Sequence, residues 1–227
     1  MASKPSKPKI SEVHAFLRKH NGLIVHFSGA PKGAGKERGS AHLFPADLRH
    51  VINGCAMGGL SCSVVRPGDI FHGFKRNATG CIGVVLDLKA DASLVAADPQ
   101  DCGSSEDEHG NRRVDNERDI SFEDLERTFR DRLVDGYNEW VVRDYVVRGI
   151  FAMKPFDVSI LKIPEYPDDM PDYLRSSESV PDFRVAEPAE LANTFPDLTI
   201  YTFKCGRIFC YKTPDELLQV EHNTIYE

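Results

Sequence analysis

The run Cys81–Leu88, CIGVVLDL, is the most strand-like stretch of the chain, and every other apolar run is equally short. Leu23–Phe27 reads LIVHF, Leu60–Val65 reads LSCSVV with half-buried alternation, Leu94–Ala97 is a second short strand, and an apolar strand opens at Glu139. Compact runs bounded by turn residues are strand signals. The regular strand–helix alternation of a doubly wound sheet is missing, so the expected class is α+β. No run reaches the roughly 18–20 apolar residues that span a bilayer. The N-terminus, MASKPSKPK, is basic with no apolar segment behind it, unlike a secretory signal. These features lead to the expectation of a cytoplasmic protein without membrane contact.

A length of 227 residues with 41% hydrophobic content suits one domain with a modest appendage. Residues 1–10 read as a disordered basic tail, 11–163 as the main domain, and 164–182, with four prolines, as a linker. Residues 183–227 read as a small C-terminal α/β extension packed on the domain. Helices are expected at Glu12–Lys19 after a Ser11 cap, from Pro45 through Ile52, and from Ser121 with Asp124 completing a capping box. Phe122, Leu125, Phe129 and Leu133 give the last of these its apolar stripe. A helix near Glu187–Asn193, strands at Leu198–Lys204 and Arg207–Lys212, and a helix from Pro214 follow. Asp157–Ile163 reads as a further strand, and 103–119 as a long polar loop.

Net charge is −7, but the first fifty residues carry nine Lys/Arg against three acids. That basic front is either a solvated tail or a surface for a polyanion. Six cysteines show no C-x-x-C spacing. Cys205 and Cys210 flank a turn, and packed thiols in a reducing compartment are the better reading, with no metal expected.

Gly29 to Lys36 imitates a phosphate loop. The G-x-x-x-x-G-K-[ST] pattern fails, because Ala30 stands at the first glycine and Glu37 at the hydroxyl position. Chemistry is better sought at His26 inside its apolar strand, at Ser61 and Ser63, which share a strand face, and at Glu139. Singly, each has a structural explanation, since buried polar groups are usually just hydrogen-bonded.

In order, LIVHFSG, LRHVINGCAMGGLSCSVV, GCIGVVLDL and NEWVV resemble the His–(Ser/Tyr)–Glu arrangement of ADP-ribosyltransferases, nearest to the DarT-type bacterial toxins. The resemblance covers about residues 20–160. It implies a split β-sheet core with flanking helices, and NAD as co-substrate. It further implies that His26 bonds a ribose hydroxyl, that Ser28 and Gly29 hold the nicotinamide amide, and that Ser61 or Ser63 lines the nicotinamide pocket. Glu139 would be catalytic. A carboxylate suits a glycosidic cleavage that passes through an oxocarbenium-like state. Departures are clear. Ser replaces a Tyr at the second motif, His stands where another branch has Arg, and Tyr137 occupies the first position of an E-x-E. An aromatic at 137 suits stacking on a base, and Arg127 and Arg130 suit phosphates. The acceptor expected is therefore a base of DNA or RNA, in a toxin or anti-phage factor with a neutralising antitoxin partner. Modification of a protein side chain, or a non-enzymatic binding module on this fold, are the alternatives.

Overall fold

Short strands with little helix between them have one economical way to satisfy their backbone groups, which is to pair with each other. In the computed structural model they form one nine-stranded mixed sheet among the described residues, which are 7–27, 46–54, 59–66, 82–100, 120–131, 138–152, 188–204, 207–213 and 216–220. In chain order the elements are α1 (Ile10–His20), β1 (Leu23–Phe27), α2 (Ala46–Ile52), β2 (Leu60–Val65), β3 (Ile82–Leu88) and β4 (Leu94–Asp98). They continue with α3 (Phe122–Arg130), β5 (Glu139–Val142), β6 (Tyr145–Ala152), α4 (Pro188–Thr194), β7 (Thr199–Lys204), β8 (Arg207–Thr213) and β9 (Glu216–Gln219). The strand order is β4-β5-β2-β1-β3-β6-β7-β8-β9. Each neighbouring pair is antiparallel except β6–β7. A mixed α/β architecture dominated by one sheet agrees with the class expected from the short apolar runs.

Local chemistry explains the helix ends. The Lys9 amide donates to the Glu12 carboxylate at 2.7 Å, so α1 starts one residue before the expected Ser11 cap. Asn21 adopts a left-handed conformation (φ 50°) and the Gly22 amide returns to Leu17 O, closing the helix at the Asn-Gly signal. The Ser121–Asp124 box forms as its spacing predicts: the Asp124 amide donates to Ser121 Oγ at 3.3 Å and the Ser121 amide to Asp124 at 2.8 Å. Of the expected stripe on α3, Leu125 is buried and Phe129 half-buried. Phe122 is largely exposed, meeting Phe16 edge-on, and Leu133 lies outside the described residues.

Two faces of the sheet are covered. On one, Val13, Phe16 and Leu17 of α1, Leu48 and Val51 of α2, Leu125 of α3 and Leu191 of α4 pack on Ile24, Cys62, Val64, Val84, Leu86, Trp140 and Val142. On the other, Leu23, Val25, Val65, Val85, Phe151, Tyr201, Ile208 and Val220 form a second cluster, and Val95, Ala96 and Val141 a third. The half-buried alternation expected of β2 does not occur, because β2 is an interior strand and Cys62–Val65 are buried on both faces. The C-terminal residues hydrogen-bond into the same sheet through β7, which runs parallel to β6. Gly149 permits that approach, since a Cβ there would strike the Thr199 carbonyl oxygen. The helix expected from Pro214 is instead the edge strand β9, where pairing of Cys210 with Leu218 and Tyr211 with Leu217 outweighs local helix preference. The expected strand at 157–163, the linker at 164–182 and the loop at 103–119 lie outside the described residues.

One polar cluster ties the first helix to the sheet. Asp87 of β3 is 2% exposed. It accepts from His14 Nε2 of α1 at 2.7 Å, and from Arg148 of β6 at 2.9 Å through Nε and 2.5 Å through Nη2. Burial raises the Asp87 pKa, but the His14 and Arg148 bonds outweigh it and hold the carboxyl below its usual range.

Candidate functional site

The strands that carry His26, the two serines and Glu139 are first, second and fifth in sequence, yet β1, β2 and β5 are neighbours in the sheet. Register sets their levels. Val25 pairs with Ser63, Cys62 with Trp140, Ser61 with Val141, and Asp98 of β4 with Glu139. Continuing the β2–β5 register by one step sets Ser63 beside Glu139. Val25, Ser63, Glu139 and Asp98 thus form one row across four strands, and His26, Cys62, Trp140 and Ala97 form the next. Two strand spacings of about 4.8 Å separate β1 from β5, roughly 10 Å in all.

The main-chain ladder between β1 and β2 runs from Leu23–Val65 to Val25–Ser63. Just beyond it, the His26 ring takes over, with Nδ1 2.7 Å from Ser61 O. A carbonyl only accepts, so Nδ1 carries the hydrogen, which leaves Nε2 as the acceptor of this ring's neutral tautomer. The seam between the two strands therefore holds an imidazole of fixed tautomer. Gly83 supports this arrangement from β3, since a Cβ there would lie 2.6 Å from Val25 Cγ1 and 2.7 Å from His26 O.

Glu139 is 2% exposed at the start of β5. The preceding residue, Asn138, anchors it: Asn138 Oδ1 accepts from the Val64 amide at 2.7 Å, and its Nδ2 reaches Val64 O and Thr128 O at 3.4 Å. Ser63 Oγ donates to Asn138 O at 3.0 Å. Ser63 thus serves the backbone ahead of Glu139, whereas Ser61 is exposed. Asn138 escapes sequence reading because an Asn before a strand looks like a turn residue; its clamp on Val64 appears only with the register.

Alternation along the strands divides the expected site. His26 lies two residues beyond Ile24, on the helix-covered face, and Glu139 two before Val141, on the opposite face. The two side chains do not face each other across one surface of the sheet. Strand β2 lies between the strands that carry them. Ser28, Gly29 and Tyr137 lie outside the described residues.

Arg127 and Arg130 already have carboxylate partners on and beside α3. Arg127 Nε lies 3.1 Å from Asp131, and Arg130 lies 2.7 Å from Glu123 and 3.0 Å from Asp131. The bonds from Arg130 and then Arg127 hold the Asp131 carboxyl below its usual range. A phosphate at this helix has to exchange with those acids. A different basic cluster lies nearby: Arg66 stands 4.2 Å over the Phe129 ring, and His20 packs against Phe16 and Phe129. Burial, followed by Lys19 and Arg66, lowers the His20 pKa.

Cys62 shares a row with His26 but is no nucleophile. Burial, and next the Glu139 carboxylate, push its thiol far above the ordinary range, so it stays protonated and donates to Leu60 O. Among the described residues no group of three or more His, Cys, Asp or Glu is placed to hold a metal ion, and no helix is long and apolar enough to cross a membrane. Comparison of the chain with protein-family models, with curated proteins and with solved structures found no match.

Proposed function

We propose that this chain is an NAD-dependent ADP-ribosyltransferase that modifies a base of DNA or RNA. One observation carries the reading: residues distant in sequence but alike in motif order, on β1, β2 and β5, are brought onto three adjacent strands around an opening seam. In this reading His26 Nε2 accepts from a ribose hydroxyl of NAD, and Ser61, exposed at the seam, lines the nicotinamide side. Ser63 holds the backbone before Glu139, and Ser28 and Gly29 meet the nicotinamide amide. Glu139 stabilises the positive charge that develops on the ribose as nicotinamide leaves. NAD supplies the activated glycosidic bond, and the chain's residues bind, orient and neutralise charge. The basic front supports a polyanionic acceptor. Tyr137 would stack on the base, and Arg127 and Arg130 would reach its phosphates only by giving up present partners. A toxin or anti-phage role in the cytoplasm, with a neutralising partner, belongs to the same reading.

The opposite faces of His26 and Glu139 favour a second reading, a binding module without turnover. The two separate on incubation with labelled NAD and single-stranded DNA, RNA or a protein lysate, beside Glu139→Gln and His26→Ala. The enzyme reading expects label in one nucleic acid, lost in both variants. Label in protein moves the acceptor to a side chain. NAD that is neither consumed nor protective against thermal unfolding leaves the binding module.

A further inference from the structure

We infer that His20 is a pH-sensitive latch between α1 and α3: its neutral ring closes the two helices over Trp140, and protonation loosens that closure. The latch operates whether or not the chain transfers ADP-ribose. Three elements meet in one ring cluster. Phe16 of α1 stacks on Phe129 of α3 at 5.3 Å and 8°, and on Trp140 of β5 at 6.3 Å and 24°. His20, four residues beyond Phe16 on the same face of α1, lies 4.7 Å from the Phe16 ring and 4.9 Å from that of Phe129. His14 and His26 each place a ring nitrogen 2.7 Å from an oxygen, whereas His20 packs against two phenyl rings.

A neutral imidazole suits that place and an imidazolium does not. The charged groups that face it are Lys19 of α1, Arg66 just beyond β2 and Glu126 of α3. Arg66 already stands 4.2 Å over the Phe129 ring, so a second cation beside that ring meets the first one instead of an unshared π-face. Burial, then Lys19 and then Arg66, outweigh the attraction of Glu126 and hold the ring's pKa below the ordinary 6.5. The opened cluster therefore binds a proton more readily than the closed one. Closure is fully favoured above about pH 6.5 and weakens progressively as pH falls below it. The strand of Glu139 feels that loss. Thr128 O of α3 lies 3.4 Å from Asn138 Nδ2, and Asn138 leads directly into Glu139. A loosened α3 thus loosens the start of β5.

Trp140 is the chain's one tryptophan, so its fluorescence reports on this cluster. The test follows Trp140 emission and melting temperature of the full chain from about pH 8 to about pH 5, in wild type, His20→Phe, His20→Gln and Glu126→Gln. Toward acid, wild type should shift its Trp140 emission to the red and lose about 2–4 °C of melting temperature beyond any loss in His20→Phe, which keeps a ring in place and takes no proton. His20→Gln should lack the same pH-dependent increment, whatever its stability at neutral pH. Glu126→Gln, without the acid that offsets the new charge, should deepen the acid loss. Emission and melting that follow pH in both His20 variants as they do in wild type overturn the latch. So does a His20 ring that titrates in the folded wild type at or above about pH 6.5 by proton NMR.

Discussion

Asp87 and Glu139 are each 2% exposed, and the sheet treats them in opposite ways. Asp87 is gripped by His14 from a helix and Arg148 from the neighbouring strand, and those bonds hold its carboxyl ionised. The cross-strand neighbour of Glu139 is another carboxylate, Asp98. Like charges directly opposed in a sheet cost stability when both are ionised. A buried acid held by His14 and Arg148 fastens a helix and two strands together, whereas Glu139 is the carboxylate that the proposed reaction would use.

The largest effect that sharpens this contrast is on activity. Glu139→Gln should reduce ADP-ribosyl transfer by about 10²–10³-fold, the scale for removing one preorganised charge-stabilising group, while unfolding free energy stays within about 1 kcal/mol of wild type. Radiolabel transfer and denaturant melts read the two quantities. Asp87→Asn should do the reverse. It removes the negative charge and one of the two acceptor oxygens that serve His14 and Arg148 and costs about 2–3 kcal/mol in denaturant unfolding, with transfer per folded molecule unchanged. The pH dependence of that cost has a definite sign. The folded pKa of Asp87 lies below its unfolded value, so its contribution is complete above about pH 4 and is lost as pH falls toward the lower folded pKa. Acid melts of wild type should therefore lose this increment, and those of Asp87→Asn should lack it from the start. Smaller still, Ser63→Ala removes one hydrogen bond to Asn138 O and should cost about 1 kcal/mol. If Ser63 positions the backbone before Glu139, transfer falls along with stability; a pure stability loss would mark it as packing only.

Much of this frame is legible from the chain alone. LIVHF, LSCSVV and IGVVLDL sit in strands because compact apolar runs between Gly, Pro and Asn punctuation have few other options. Asn21-Gly22 and Ser121–Asp124 end and start helices through bonds that depend on local sequence only. What depends on register is hidden. Asp98 meets Glu139 because an irregularity between Leu94 and Ala96 shifts the β4–β5 pairing, and no periodicity reveals such a shift. The same blindness applies to faces: parity within β1 and β5 is readable, but which parity looks toward the helices is set by packing, and it places His26 and Glu139 on opposite sides. The Glu216–Gln219 strand is a tertiary override of the same kind, decided by β8 beside it.

Paired assays on Glu139→Gln and Asp87→Asn, each read by nicotinamide release from NAD and by thermal melting, test the central claim most directly. The account predicts that Glu139→Gln melts like wild type and releases nicotinamide about 10²–10³-fold more slowly, and that Asp87→Asn melts lower and releases it at the wild-type rate while folded. Nicotinamide release that keeps its wild-type rate in Glu139→Gln, or that wild type itself never shows, would contradict it.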